Sequence, residues 1–316
     1  MSLPAVPAET HPLSPTHRPV LLDEVLHWLD PRAGAVIVDG TVGAGGHARA
    51  IAERVQPGGR VVGLDRDPEM LALAAQTTAG LPITLVHSSY SDLSEELEEF
   101  GLESIDGLLL DLGLASDHLG WPHRGFSFAV DGPLDMRFDP QAKLTAAHLV
   151  NTLRAEELAD LFFQYGEERY SRRIARRIVE DRRVEPITTT GRLAQLVRQS
   201  IPGKWGPIDP ATRVFQALRI KVNDELGQLD TLLEQLPDLL RPGGRAVIIS
   251  FHSLEDRRVK WAFRNDPLLQ VLTKKPVTAS AEEVHRNPRA RSAKLRAVER
   301  CPNTTIPTMP TTGKTM

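Results

Sequence analysis

The sequence predicts an α/β fold in which a parallel sheet, covered by helices on both faces, is interrupted by a mostly helical insertion. Short, continuously apolar segments alternate with helical stretches over the first third of the 316 residues, which is typical of parallel sheets that are buried on both faces. This alternation stops after residue 111, helical periodicity dominates residues 151–200, and an apolar strand returns at 245–250.

The first third of the chain predicts strands and helices in regular alternation. Each strand is rich in Val, Ile and Leu, and Pro68 stands in the first turn of its helix, where proline is favoured. The predicted strands cover 35–39, 60–65, 83–87 and 105–111, and the predicted helices cover 20–29, 47–55, 68–76 and 92–100.

The remainder of the chain divides into an insertion and a return to the sheet. Residues 115–145 are rich in Gly, Pro and Asp without a clear period. Asp209 and Pro210 predict the start of a helix that runs to about Leu236. We therefore expect a discontinuous sheet domain over 17–114 and 209–300, an inserted and mostly helical domain over 115–208, and loose tails over 1–16 and 301–316.

Composition limits the class of protein. The net charge of −3 argues mildly against a nucleic-acid partner, although basic residues concentrate in 169–183 and 274–300. The single cysteine, Cys301, excludes an internal disulfide and a cysteine-built zinc site, and it fits a reducing cytoplasm. Neither a secretory signal nor an apolar run of about 18 residues is present, so we expect no membrane association. The histidines lack zinc spacing, so we expect no catalytic metal.

A glycine-rich turn at 38–47 is the most informative segment. It lies between the first predicted strand and its helix, where ligands bind in open parallel sheets. Glycines there let the backbone approach a ligand closely. Asp65 ends the second predicted strand, and an acid at that place can accept both hydroxyls of an adenosine ribose.

Two cofactors fit this turn. Gly43, Gly45 and Ala48 satisfy a dinucleotide pattern, so an NAD-dependent oxidoreductase is an alternative. However, Asp39 precedes the turn, where its carboxylate can hold an ammonium group but would repel a pyrophosphate. Asp111 ends the fourth predicted strand, and several acids at strand ends suit the cationic sulfonium of S-adenosylmethionine better than an anionic cofactor.

An arginine stripe lies in the insertion. Residues 169–183 contain seven arginines and only two acids, and Ile174 and Ile178 mark the buried side of the helix. Such a stripe can grip RNA phosphates, although a solvated face paired with neighbouring acids explains the pattern equally well. The stripe consists of Arg169, Arg173, Arg176 and Arg177.

Four further side chains of the insertion have two interpretations each. Phe126 and Phe128 could stack on a base that is splayed out of RNA, but packing in the core of the insertion is favoured because alternate aromatic residues usually pack. Asp135 and Arg137 either line the substrate pocket or only pair with each other.

The segment after the fifth strand predicts a helix start beside the site. Ser253 and Asp256 fit a capping box, which is an ordinary structural role. Phe251 and His252 face the strand ends, where they could contact a base of the substrate.

The sequence resembles the bacterial 16S rRNA cytosine-N4 methyltransferase family, called RsmH or MraW, over about residues 17–300. Many long matches occur in the right order, which is far more specific than the glycine turn alone. They cover 17–25, 39–47, 64–68, 110–113, 124–128, 131–137, 166–169, 211–220, 250–257 and 287–292.

The resemblance implies a Rossmann-like class I methyltransferase sheet with an inserted helical substrate domain, S-adenosylmethionine as cofactor, and a decoding-centre cytosine of 16S rRNA in the small ribosomal subunit as target. The chain departs from the family at Ala115, where the family usually has serine, and at Tyr90, where it often has phenylalanine. The family's cofactor residues fall on Gly45, Gly46, His47, Asp65, Tyr90, Asp111 and His118.

The residues also bear on the reaction. Methylation of carbon 5 of cytosine needs a cysteine nucleophile, and Cys301 lies far along the chain from any strand end. An exocyclic amine needs an acceptor for its hydrogens instead, and Asp111 is the candidate, although it could equally serve only the cofactor. A noncatalytic RNA-binding assembly factor is a third alternative. The sequence is compatible with a homodimer and does not fix the oligomeric state.

Overall fold

The central sheet has seven strands within the residues that the computed structural model describes, which are 19–203, 205–206 and 208–302. Its strand order is β3-β2-β1-β4-β5-β7-β6; β1 to β5 are parallel, and β7 runs antiparallel to both of its neighbours. The strands are β1 (Val36–Asp39), β2 (Arg60–Asp65), β3 (Ile83–His87), β4 (Ile105–Asp111), β5 (Leu240–Ser250), β6 (Leu269–Val271) and β7 (Lys294–Arg300).

Helices cover the sheet and build the insertion. The predicted α/β fold with an inserted helical segment is confirmed. The helices are α1 (Leu22–Leu29), α2 (Gly46–Val55), α3 (Pro68–Thr77), α4 (Leu93–Glu99), α5 (Ser116–Gly120), α6 (Ala146–Thr152), α7 (Ala155–Gly166), α8 (Ser171–Asp181), α9 (Thr190–Ser200), α10 (Ala211–Asn223), α11 (Glu225–Leu239), α12 (Ser253–Asn265) and α13 (Ala281–Arg286).

Both faces of the sheet are buried because successive side chains of each strand point in opposite directions. Ile37 of β1 joins a core on the side of α1 and α2, whereas its neighbour Val38 joins a core on the side of α4, α11 and α12. Leu109 and Leu108 of β4 divide in the same way. This two-sided burial explains why the strands appear in the sequence as continuous apolar runs rather than alternating ones.

The insertion has its own hydrophobic core, to which α6, α7, α8 and α9 contribute. Helix α10, which the sequence analysis assigned to the sheet domain, also contributes to this core through Val214, Leu218 and other residues. Near its end, Ile220 packs with Leu226 of α11 and Leu254 of α12. Helix α10 therefore connects the insertion to the sheet.

One predicted helix was wrong in its extent. The helix expected from Pro210 to about Leu236 is two helices, α10 and α11, separated at Asp224, whose φ is 49°. This left-handed conformation ends α10 and turns the chain. The strands β6 and β7 had no counterpart among the sequence-based predictions.

Parts of the predictions lie outside the described residues. These parts are the tail over 1–16 and positions 303–316 of the second tail. Among the helices that the structure describes, none combines the length and the apolar character needed to cross a membrane.

Candidate active site

A cleft of about 1220 Å³ opens at the carboxyl ends of the parallel strands. In an open sheet a ligand site is expected where the strand order reverses, here between β1 and β4. Its lining begins at Pro19 and ends at Ser292. Six of the seven predicted cofactor residues line it, namely Gly46, His47, Asp65, Tyr90, Asp111 and His118.

Gly45 belongs to the same turn but does not line the cleft. Its φ is 87°, and a Cβ there would lie 2.9 Å from the Thr78 side chain and 3.2 Å from the backbone of Ala74. A Cβ on Gly46 would lie 2.6 Å from the ring of Pro19. Both glycines are thus required by the packing of the turn on its neighbours, whatever ligand the turn holds.

Three carboxylates stand at the tips of adjacent strands. Asp65, Asp39 and Asp111 end β2, β1 and β4, which are consecutive in the sheet. Burial raises the pKa of Asp65, and burial raises the pKa of Asp39 to about 7. This edge of the sheet therefore favours a ligand that carries positive charge.

Asp65 shapes the glycine turn. Its Oδ2 accepts a hydrogen bond from the Gly43 N–H at 2.9 Å, and its Oδ1 accepts one from the Asp67 N–H at 2.9 Å. Each carboxylate oxygen has two acceptor sites, so capacity remains for hydroxyl groups of a ligand in the cleft.

Asp39, His47 and Asp111 present polar atoms that lack hydrogen-bond partners. The buried Oδ2 of Asp39, Oδ1 of Asp111 and both ring nitrogens of His47 have none among the described residues. His47 Nε2 lies 3.6 Å from Asp111 Oδ2. Because buried polar atoms are nearly always satisfied, these orphaned atoms mark the place of a polar ligand.

Tyr90 forms part of the cleft wall beyond β3. Its hydroxyl donates to the backbone oxygen of Glu225 at 3.3 Å, and burial raises its pKa, so the ring is neutral. The hydroxyl that distinguishes it from phenylalanine is thereby anchored, and the ring lines the cleft.

His118 lines the cleft with both ring nitrogens already engaged. Nδ1 accepts from the Ala115 N–H at 3.2 Å, so Nε2 carries the hydrogen and donates to Asp67 Oδ2 at 2.9 Å. A contact from His118 to a ligand must therefore use the ring itself. Ala115 stands where the family usually has serine, and it takes part in this contact through its backbone N–H.

The residue that holds His118 was missed in the sequence analysis. Asp67 is completely buried and also pairs with Arg124 of the insertion, 2.7 Å from its Nη2. Although burial alone would raise it, hydrogen bonds from His118 and Arg124 keep the pKa of Asp67 below its usual value. This ion pair attaches the insertion to the sheet beside Asp65. The only sequence signal for Asp67 was its position as the cap of α3.

A second buried ion pair, also missed, lies on the other side of the cleft. Arg219 of α10 donates from Nε and Nη2 to the two carboxylate oxygens of Glu225 at 2.7 and 2.8 Å. Both residues line the cleft together with Phe251 and Glu255. The sequence did not predict this pair, because the two residues meet across the turn at Asp224, where a continuous helix was expected.

Arg289 closes the cleft from the far end of the chain. Its Nη1 donates to Ser116 Oγ at 2.6 Å, and its Nη2 donates to the backbone oxygens of Leu114 and Ala115 at 3.1 Å. Burial lowers its pKa. Asn287 lines the same wall, and its buried Nδ2 has no partner among the described residues.

One group with metal-ligand chemistry occurs among the described residues. Ligand atoms of Glu225, His252 and Glu255 lie within 4.8 Å of one another. The guanidinium of Arg219 is bound to Glu225, so positive charge is already supplied there. The expected absence of a catalytic metal stays a prediction.

The capping box after β5 is displaced by one residue from its predicted position. His252, rather than Ser253, caps α12: its Nδ1 accepts from the Glu255 N–H at 3.4 Å. Glu255 in turn accepts from the N–H groups of Phe251 and His252 at 2.9 and 3.3 Å. Asp256, the other predicted partner, instead pairs with Arg296 at 2.7 Å.

The four ambiguous side chains of the insertion make structural contacts. Phe126 is buried in the second core, and Phe128 packs against that core. Arg137 forms a two-pronged pair with Asp135 at 2.8 and 2.7 Å. None of the four lines the cleft.

The arginine stripe lies away from the cleft. Arg169, Arg173, Arg176 and Arg177 are all exposed, and none of them forms an ion pair within the described residues. Three of them line a shallow depression of about 430 Å³ between α8 and α9, with Glu180, Gln199 and Ser200. Arg169 instead lies over the ring of Tyr170 at 5.1 Å.

The sequence matches the model of the MraW methylase family over residues 14–301. A ribosomal RNA small subunit methyltransferase H from Thermomicrobium roseum is 50% identical over 309 residues, which cover 92% of this chain and 95% of the relative. A protein of the same name from Cyanothece sp. is 52% identical over 297 residues, covering 93% of this chain and 98% of the relative.

Proposed function

Because the chain belongs to the MraW methylase family, we propose that it methylates the N4 amine of a decoding-centre cytosine in the 16S rRNA of the small ribosomal subunit. The protein is a methyltransferase, and S-adenosylmethionine is its cofactor. An NAD-dependent oxidoreductase is thereby excluded. The proposal of a ribosomal RNA target rests on the name of the relatives. The proposal that N4 is methylated rests on Asp111, which ends β4 inside the cleft and has an unpartnered Oδ1.

The cleft suits this cofactor, which carries two positive groups, because Asp111 lines it with Oδ1 unpartnered. Asp39, which directly precedes the lining residue Gly40, holds another unpartnered oxygen. The residues proposed to hold it are Gly46, His47, Asp65, Tyr90, Asp111 and His118, with Asp39 beside them and Gly45 shaping the turn that carries Gly46 and His47. Asp65 would accept the ribose hydroxyls, and the Tyr90 ring would stack on adenine. The ammonium group would reach Oδ2 of Asp39, which is otherwise unsatisfied. When bound, the cofactor supplies a methyl group attached to a positively charged sulfur.

Asp111 would then serve the target amine. The N4 lone pair is delocalised into the cytosine ring, so the nitrogen must pyramidalise as it forms its bond to the methyl carbon. Asp111 Oδ1 can accept one amine hydrogen, stabilise the positive charge that nitrogen gains, and take up the proton it releases. The carbon–sulfur bond breaks as the carbon–nitrogen bond forms, and its electron pair stays on sulfur.

The position of Cys301 argues against carbon-5 chemistry. Strand β7 is antiparallel to β5, and Lys294 at its start pairs with Ser250 at the end of β5. Cys301 follows the end of β7 and is therefore at the edge of the sheet opposite the cleft. A nucleophile for carbon 6 of the base is consequently absent from the cleft lining, which contains no cysteine.

The insertion would bind the RNA. We propose that residues 115–208 form the substrate domain and that α10, which shares their core, belongs with them. The arginine stripe would contact phosphates, with the depression between α8 and α9 as one binding place. A homodimer stays a prediction.

Replacement of the depression's arginines is expected to weaken RNA binding. The triple variant Arg173→Gln, Arg176→Gln, Arg177→Gln should raise the dissociation constant for small-subunit RNA about tenfold or more and reduce the slope of log affinity against log salt by about two to three, because each phosphate contact releases counterions. Titration at several KCl concentrations measures both. Arg183→Gln, an exposed arginine just beyond α8, is the control. An unchanged slope would contradict the proposal.

Cofactor affinity is expected to depend on pH through Asp39. Its pKa of about 7 in the free protein results from burial, opposed by His47 and increased by Asp111 and Asp65. A cationic ligand needs the ionised carboxylate, so affinity should rise with pH through 7 and fall about tenfold from pH 8 to pH 6. Calorimetry at the two pH values measures this change. In Asp39→Asn the dependence should be lost, and an equal dependence in that variant would rule out Asp39 as the titrating group.

Mass mapping of small-subunit rRNA from cells that lack the protein tests the function itself. We expect one cytosine to lose a methyl group from its exocyclic nitrogen, and the wild-type gene to restore it. An unchanged modification pattern, or a loss at carbon 5, would contradict the proposal.

A further inference from the structure

A small region of the cleft lies two residues beyond Asp111, beside Gly113. The φ of Gly113 is 97°, and a Cβ on it would lie 3.6 Å from Cδ2 of Phe251 and 3.9 Å from Nη1 of Arg219. All three residues line the cleft. An aromatic ring and the end of a guanidinium group therefore border the space next to Gly113, two residues after the proposed acceptor of the amine hydrogen.

The Arg219 guanidinium is held in one orientation. Two of its nitrogens are bound to Glu225, and its side chain is 12% exposed. Glu225 is itself 8% exposed, and its backbone oxygen holds the Tyr90 hydroxyl. Nη1 has no partner among the described residues. Because the planar group is fixed by its two-pronged pair, its free donors point in a fixed direction.

The other arginine near Asp111 is used differently. Both terminal nitrogens of Arg289 donate to Ser116, Leu114 or Ala115, so they hold the wall of the cleft. Arg219 is thus the one of this pair that still offers a terminal guanidinium nitrogen to a ligand.

Resting on the proposed function, we propose that Arg219 is the specificity residue for the target base: its Nη1 donates a hydrogen bond to N3 of cytosine while Phe251 packs against the face of the ring. Flipped bases are commonly recognised by hydrogen bonds to their Watson–Crick edge and by stacking. In cytosine, N3 is an acceptor next to the N4 amine, so this bond directs the amine towards Asp111. In uracil, N3 carries a hydrogen and would confront the Arg219 donor.

The bond orients the base rather than activating it. Donation to N3 withdraws electron density from the ring and therefore does not make N4 more nucleophilic. Arg219 should consequently act on the choice and placement of the base, and its loss should appear mainly as lost discrimination.

An atomic substitution in the base tests the inference. Small subunits are reconstituted with 16S rRNA in which the target cytosine is replaced by 3-deazacytosine, whose position 3 is a C–H group. For wild type, kcat/KM should fall roughly 10- to 100-fold relative to cytosine, because a buried donor loses its acceptor. For Arg219→Met, kcat/KM on cytosine should already be lower, with little further loss on 3-deazacytosine. The intrinsic effect of the analogue on the amine is common to all variants and cancels in this comparison.

Two further variants keep the comparison interpretable. Arg219→Met leaves Glu225 as an unpaired buried charge, so a double variant with Glu225→Gln removes both partners if the single variant does not fold. Arg213→Met changes an exposed arginine on the same helix and should keep the full penalty of wild type. Equal penalties in wild type and in the Arg219 variants, or no penalty in wild type, would overturn the inference. Failure of wild type to methylate the unmodified subunit would instead overturn the proposed function.

Discussion

Asp111→Asn is expected to lower kcat about 10²- to 10⁴-fold, which is the usual contribution of a positioned acid–base group. Asparagine preserves the shape of the side chain, and the backbone N–H at this position continues to donate to Thr41 Oγ1, at 2.7 Å in the present structure. What is lost is the negative charge that would stabilise the developing ammonium and accept its proton.

Separate measurements of kcat and cofactor affinity decide between the two roles of Asp111. Single-turnover methylation of the small subunit gives the chemical step, and calorimetry gives the dissociation constant for S-adenosylmethionine. Asp117→Asn is a matched control, because Asp117 lines the same cleft but does not end a strand. If Asp111→Asn weakens cofactor binding while the saturated rate stays at the wild-type value, Asp111 serves only the cofactor.

Asp65→Ala is expected to remove measurable cofactor binding, with affinity lowered at least about 100-fold. Hydrogen bonds to a charged group contribute roughly 1.5–3 kcal/mol each, and Asp65 is proposed to make two to the ribose. The same substitution releases the N–H groups of Gly43 and Asp67, so the turn that faces the cofactor would lose its support.

A second variant separates these contributions. Asp65→Asn retains one acceptor oxygen and should bind more tightly than Asp65→Ala but more weakly than wild type. Asp92→Ala changes an exposed acid beside Tyr90 and should leave affinity unchanged. Wild-type affinity in folded Asp65→Ala, judged by its thermal unfolding, would show that the ribose is held elsewhere.

The sheet was predictable because burial on both faces produces a local pattern in the sequence, a continuous apolar run. Ile37 and Val38 face opposite cores, yet both must be apolar, so β1 stands out as a run. The sequence signal for the end of α10 is weaker. Asp tolerates the left-handed conformation that Asp224 adopts. The preceding residue, Asn223, is held by distant partners: its Nδ2 donates to the Met136 oxygen and its Oδ1 accepts from the Phe138 N–H, both at 2.8 Å.

The same distinction applies to the candidate site. The acids Asp39, Asp65 and Asp111 could be placed together because parallel strands bring their carboxyl ends to one edge. The pair Asp67–Arg124 could not, since it depends on how the insertion docks on the sheet, and no periodicity encodes that contact. The pair Arg219–Glu225 could not either, since it depends on the turn at Asp224 between α10 and α11. The roles proposed for the predicted residues stay predictions.

The lining of the cleft extends along the chain from Pro19 to Ser292. During translation, a growing chain that has not yet released Asn287 and Arg289 lacks one wall of the binding place. The residues proposed to hold the methyl donor end at His118, so a shorter chain would present them in a cleft that is still open on the side of Asn287 and Arg289. Ligand binding stabilises a native state that binds the ligand over an unfolded state that does not, so we expect the donor to stabilise the complete fold more than a chain truncated before Asn287.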